Sequence, residues 1–192
     1  TVLDRHVSVD MWLRDDCPVP PFATVMRTLV FMEAPLPLED IAPLPGITLR
    51  PFETGRDEGV WLELNNLSFG GHPEQGGWRH EDLTDRQREP WFDPSTLLML
   101  ESGEQLAATV WMREHVRGGD RYGEFLVVSV HPDFRGKRLS LAAMSRGGAL
   151  LADRGLRKVT LYVDEANKRA VEVYRGLGFE AARRDRLVRL QR

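Results

Sequence analysis

The sequence predicts an α/β fold built on a mixed, mostly antiparallel sheet flanked by helices. Three observations predict it. Short alternating apolar runs read as strands, stripes of apolar residues at helical spacing recur between them, and Gly or Pro punctuates the boundaries.

The first run, "HVSVDMWL", alternates as a strand, and "ATVMRTLVFMEAPL" reads as a second. Between them "RDDCPVPPF" is too proline-rich for a helix. The stretch "APLPLEDIAPLPG" carries Pro35, Pro37, Pro43 and Pro45, which favour extended backbone and a semi-rigid linker. An arm with linker over residues 1–45 and a domain over 46–192 follow as expectations. In that domain "ITLRPF" is a strand, and "GRDEGVWLELNNLSF" is a helix with Val60, Leu64 and Leu67 on one stripe. "HPEQGGW" is a loop anchored by Trp78, and "RHEDLTDRQREP" is a short polar helix stopped at Pro90. "STLLMLE", "EQLAATVWMREHV" and "RYGEFLVVSV" form a meander, with turns at Ser102-Gly103 and Gly118-Gly119. A helix from Leu139 to about Asp153 carries Gly147-Gly148, a pair that implies close packing on the sheet. The strand "KVTLYVD", the helix "ANKRAVEVYRGLG" and one or two strands in "FEAARRDRLVRL" finish the chain. The run "RRDRLVRLQR" reads as a solvated strand edge.

The 192 residues suit one sizeable domain, or one domain with an appendage. With 42% hydrophobic and 29% charged residues the chain is globular rather than disordered or fibrous. A net charge of -3 against 26 basic side chains excludes a general polyanion binder, so nucleic acid is not an expected partner. No apolar run approaches the roughly 20 residues of a membrane span, and "TVLDRHVSVD" lacks a leader pattern. No membrane partner is expected. The single Cys17 cannot form an intrachain disulfide, which points to a reducing, cytoplasmic setting. His72, His80, His115 and His131 share no metal-ligand spacing, so no metal is expected.

The most informative stretch is "VHPDFRGKRLS", residues 130–140, where a strand ends and a basic, Gly-containing loop opens a helix. Unpaired main-chain amides and the macrodipole at a helix start favour an anion such as a diphosphate. Gly136 permits close approach, and Arg135, Lys137 and Arg138 supply charge. An ordinary turn bearing solvated Arg and Lys has the same composition. In the last helix, Asn167 is placed as an N-cap and Gly178 as a C-terminal stop, with Ala170, Val171, Tyr174 and Leu177 on one stripe.

Together, the order of elements, Val130-His131-Pro132 with Arg135-Gly136-Lys137, and Asn167, Ala170, Tyr174, Gly178 and Phe179 resemble the GNAT superfamily of acyltransferases. Two loop positions depart from the family pattern: Arg138 stands where Gly is usual and Ser140 where Gly or Ala is usual. The resemblance implies acetyl-CoA as co-substrate. Its expected contacts are Val128, Ser129, Val130, Arg135, Gly136, Lys137, Arg138, Leu139 and Ser140, with Asn167 and Ala170 from the later helix.

The block "NNLSFGGHPEQGGW" with "EPWFDP" and "GEFLVVSVHP" is similar to the carboxy-terminal half of the mycothiol synthases, from about residue 46 to 180. That family has two GNAT domains and acetylates the cysteinyl amine of a glucosaminyl-inositol. By this resemblance residues 1–45 correspond to the end of a preceding domain. It also implies Glu124 as base, Tyr174 as acid, and acceptor contacts from Glu74, Arg113, Glu124 and Tyr162. Position 113 is commonly Lys in the family, and Arg differs from Lys in geometry. Two readings stand: an acetyl-CoA-dependent N-acetyltransferase acting on a small polar primary amine, or a non-catalytic relative whose coenzyme cradle is spoiled at Arg138 and Ser140.

Overall fold

The computed structural model describes residues 8–42, 45–71 and 75–191. In chain order the elements are β1 (Ser8–Arg14), β2 (Ala23–Pro35), β3 (Ile47–Pro51), α1 (Glu58–Ser68), α2 (His80–Gln87), β4 (Leu97–Ser102), β5 (Gln105–Arg117) and β6 (Asp120–Val130). They continue with α3 (Leu139–Asp153), β7 (Lys158–Asp164), α4 (Lys168–Gly176) and β8 (Glu180–Gln191). The chain divides into two compact units, one spanning residues 35–159 and one made from the described parts of 1–34 and 160–192.

In the 35–159 unit the strands run in the order β6-β5-β4-β3, with antiparallel neighbours. The β5–β6 turn is two residues long. Gly118 and Gly119 hold it at φ 59 and 92, left-handed values that close a tight hairpin without a Cβ penalty. This turn fixes the register, pairing Arg117 with Asp120 and, four residues on, Arg113 with Glu124. Between Trp111 and Met112 the register slips, so Leu126 has no opposite number on β5. That bulge kinks β6 between Glu124 and Val128.

Neighbouring strand residues point to opposite faces. Met112 and Phe125 meet α3, while Trp111 and Val127 join a core with Trp61 and Leu64 of α1 and Leu83 of α2. Gly147 allows the first contact: a Cβ there would lie 2.5 Å from Met112 Sδ and 3.0 Å from a Phe125 ring carbon. The close packing read from Gly147-Gly148 is therefore present. Gly148 faces Leu36 and Leu38 of the proline-rich segment. That segment, read as a linker, is fastened to its surroundings over residues 36–41. Leu36 N–H donates to Arg157 O at 2.9 Å, Ser145 Oγ donates to Glu39 O at 2.8 Å, and Ile41 N–H donates to Ser145 Oγ at 2.9 Å.

In the other unit β8 lies between β1 and β2, antiparallel to both. This corrects the reading of "RRDRLVRLQR" as a strand edge. Val188 is fully buried, and the arginines find partners: Arg189 grips Asp10, Arg184 pairs with Glu165, and Arg186 donates to the Cys17 carbonyl. α4 behaves as its sequence indicates. Asn167 Oδ1 accepts from Ala170 N–H at 3.1 Å, and Gly178 takes φ 87 beyond the last turn. Bonds from Gly178 N–H to Arg175 O and from Phe179 N–H to Tyr174 O close the helix end, with the Tyr174 and Phe179 rings 6.2 Å apart.

Candidate active site

An aromatic cluster fills the core of the 35–159 unit beneath β5. Trp111 is 1% exposed, with ring centroids of Trp61 at 5.3 Å and of Trp91 and Phe92 each at 5.9 Å. Trp78 packs 5.6 Å from Trp61 and anchors its loop, as expected. Two asparagines of α1 pin that loop: Asn66 exchanges hydrogen bonds with the main chain of Trp78, both at 2.8 Å, and Asn65 Nδ2 donates to Gln75 O at 2.8 Å. Gln75 Nε2 then donates to the carbonyl of the bulge residue Leu126 at 3.2 Å. The "NNLSFGGHPEQGGW" block thus ties α1 to the kink of β6. Glu74, an expected acceptor contact, lies outside the described residues.

Arg113 and Glu124 stand opposite each other on β5 and β6. The Arg113 guanidinium lies over the Trp91 ring at 4.6 Å, and its buried Nε has no hydrogen-bond partner. Glu124 is half-buried, and one of its oxygens, Oε2, lies 2.6 Å from Nε2 of His115. His115 in turn stacks on Tyr122, with centroids 4.9 Å apart and planes at 9°. Sequence reading set His115 aside as a histidine without metal spacing. The signal that finds it is the Gly118-Gly119 turn, because counting back from a two-residue hairpin puts His115 opposite Tyr122 and two pairs away from Glu124, on the same face of the sheet.

Beyond the bulge, His131 N–H donates to Ala107 O at 2.9 Å, and Ala108 pairs with Val130. By the alternation of an antiparallel ladder, Ser129 bonds to β5 while the amides of Val128 and Val130 point away from it. Val130 O, on that outward side, accepts from Ser68 Oγ at 3.3 Å. At the start of α3 the first amides have no acceptors within the helix, and no side chain caps them. Arg135, Gly136, Lys137 and Arg138 are all exposed before it, Leu139 is buried and Ser140 is half-buried.

Arg138 occupies the N-cap at φ 60, and among the described residues it is the sole non-glycine with positive φ. This explains physically why a Gly suits the position: the left-handed conformation costs an L-residue about 1 kcal/mol or more. Arg138→Gly should accordingly be more stable than Arg138→Ala by about 1 kcal/mol in thermal unfolding. Arg138 is an exposed residue, and its side chain does not cap the helix. Space is open around the Cβ position of Gly136. An uncapped helix start and exposed cations fit the diphosphate of a coenzyme A thioester.

The model of the "Acetyltransferase (GNAT) family" matches residues 61–179. The chain belongs to the GNAT acetyltransferase family. Members use acetyl-CoA as co-substrate. This GNAT chain is 44% identical over 157 residues to a mycothiol acetyltransferase of Thermomonospora curvata, covering 80% of the chain and 52% of that protein. It is 48% identical over 161 residues to one of Thermobispora bispora, covering 81% and 55%. With one of Frankia alni it shares 38% over 203 residues, covering 95% and 60%. The chain thus spans little more than half the length of these relatives. Among solved structures, a GCN5-related N-acetyltransferase from Sphaerobacter thermophilus superposes with a TM-score of 0.75 at 24% identity, over 97% of this chain and 60% of that one. The fold expected from the sequence, α/β of the GNAT type, is the fold observed.

The remaining expected residues belong to the other unit. Asn167 and Ala170 form the N-terminal cap of α4. Tyr162 is 42% exposed, and its hydroxyl is hydrogen-bonded by Arg183 while its ring lies 5.0 Å from Phe31. Burial pushes the Tyr174 phenol up to about 12, so it is protonated at neutral pH. Among the described residues, no cluster of His, Cys, Asp and Glu could hold a metal, and no helix is long and apolar enough to cross a membrane.

Proposed function

We propose that this GNAT domain transfers the acetyl group of acetyl-CoA to the primary amine of a small polar molecule, with Glu124 as base and Tyr174 as acid. The acceptor we favour is a cysteinyl-glucosaminyl-inositol, the amine acetylated by the mycothiol synthases. The observation that carries the reading is Glu124: a half-buried carboxylate on the strand whose outward amides, at Val128 and Val130, lie just past the Leu126 bulge.

Attack on a thioester needs the amine lone pair, so a proton must leave the nitrogen. Glu124 accepts it at the oxygen that His115 does not hold. As the new C–N bond forms, the carbonyl oxygen gains negative charge, and preorganised main-chain donors stabilise it. The C–S bond then breaks and the thiolate departs. A coenzyme thiol ordinarily near 8.5 is a poor partner for full proton transfer from a phenol at about 12. Tyr174 as acid therefore acts by donating its hydrogen bond to the thiolate as it forms, with water supplying the proton that completes the thiol.

Arg113, Glu74 and Tyr162 are the proposed acceptor contacts, each offering hydrogen bonds to hydroxyl groups. The test is release of coenzyme A, read by chromatography because the acceptor carries its own thiol, across a panel of amines. Tyr174→Phe should lower kcat about tenfold, the worth of a hydrogen bond to a charged group, with acetyl-CoA affinity unchanged in calorimetry. Millimolar or absent acetyl-CoA binding by the unmodified chain would favour the non-catalytic alternative.

A further inference from the structure

We propose that His115 is a positioning residue for Glu124, holding one carboxylate oxygen so that the other is free to act as base. The inference rests on the acetyl-transfer reading above and assigns the control of its base.

The geometry carries it. In the ionised form that a base requires, the Glu124 carboxylate only accepts, so the 2.6 Å contact then places the hydrogen on Nε2 of His115, donated to Oε2 of Glu124. Glu124 is the one polar side-chain partner of His115 among the described residues. Stacking on Tyr122 fixes the plane of the ring. One carboxylate oxygen is thereby held in a set direction, which leaves Oε1 for the acceptor amine. Along the β5–β6 ladder His115 is opposite Tyr122, farther from Val128 than Glu124 is. The carboxylate thus stands between the imidazole and the main-chain amides that receive the thioester, and His115 acts through Glu124.

The neighbouring charges are largely committed elsewhere. On β5, Glu114 pairs with Arg121 of β6 and with Arg154 beyond α3, and Arg154 also holds Asp93. Arg113 lies over Trp91, and the ammonium of Lys158, at the start of β7, is 5.7 Å from the Tyr122 ring. Arg117, at the end of β5, is exposed.

Three substitutions separate the possibilities: His115→Gln keeps a donor for Glu124, His115→Phe keeps none, and Glu124→Ala removes the acceptor. With the cysteinyl-glucosaminyl-inositol as probe, His115→Phe should lower kcat by about 10- to 100-fold, the KM for acetyl-CoA staying within twofold. His115→Gln should restore at least a third of kcat at pH 8. Nitrogen-15 spectra of the labelled imidazole at pH 8 should show hydrogen on Nε2, and a mixture of tautomers in Glu124→Ala. If both His115 variants match the unmodified chain in kcat, the role is wrong while acetyl transfer stands. A mixed tautomer in the unmodified chain also overturns it. No coenzyme A release from the unmodified chain with any amine overturns the acetyl-transfer reading, and the role of His115 with it.

Discussion

Glu124→Gln should lower kcat for acetyl transfer by on the order of 10²- to 10⁴-fold, the usual worth of a positioned general base. Few substitutions in the chain isolate one chemical property so cleanly. Glutamine has the shape of glutamate and can still accept from His115 Nε2 through its carbonyl oxygen, so the 2.6 Å contact has a ready substitute. Gly123 beside it is untouched; a Cβ there would meet Leu151 at 2.5 Å, so the strand is already closely packed on α3. The amides of Val128 and Val130 lie past the bulge and do not depend on the Glu124 side chain. Acetyl-CoA affinity in calorimetry should therefore stay within about twofold while turnover falls. Loss of both together would mean that Glu124 shapes the coenzyme cleft rather than the proton path, and equal turnover would end the assignment of the base.

Legibility in the sequence followed how local the deciding interaction is. Asn167 capping α4, Gly178 ending it and the glycine pair turning β5 into β6 are properties of a few adjacent residues, and each appears where the pattern placed it. The α/β architecture followed from alternation and periodicity in the same way. Register is different, because it joins residues that composition does not connect. Placing "RRDRLVRLQR" between β1 and β2 depends on pairings across more than 150 residues, such as Arg189 with Asp10, and its arginines look the same at an edge or in the middle. The His115 contact was within reach by counting from the hairpin, but only with the turn length fixed. At Arg138 the departure from the family pattern is visible in the sequence, whereas its left-handed backbone belongs to the folded loop. Glu124 and Arg113 entered through family resemblance, and the structure adds that they form a cross-strand pair.

The largest loss of stability should come from Trp111→Ala, about 3–5 kcal/mol by the usual cost of emptying a buried aromatic site, read as a lower urea midpoint. Trp111 is 1% exposed and in ring contact with Trp61, Trp78, Trp91 and Phe92. Each neighbour comes from α1 or from the segments flanking α2, so one cavity would loosen several attachments to β5 at once. The indole nitrogen is buried without a hydrogen-bond partner. Trp111→Phe therefore forfeits packing but no hydrogen bond, and it should cost about half as much or less. The two variants also bear on the site. Trp91 carries the Arg113 guanidinium on its face, and Arg113 stands across from Glu124. If the cluster is the platform for acceptor recognition, Trp111→Phe should raise the KM for the amine more than the KM for acetyl-CoA, whose proposed main-chain contacts lie beyond the bulge. Equal changes in both constants would show instead that the cluster supports the whole sheet evenly and gives no preference to the acceptor side.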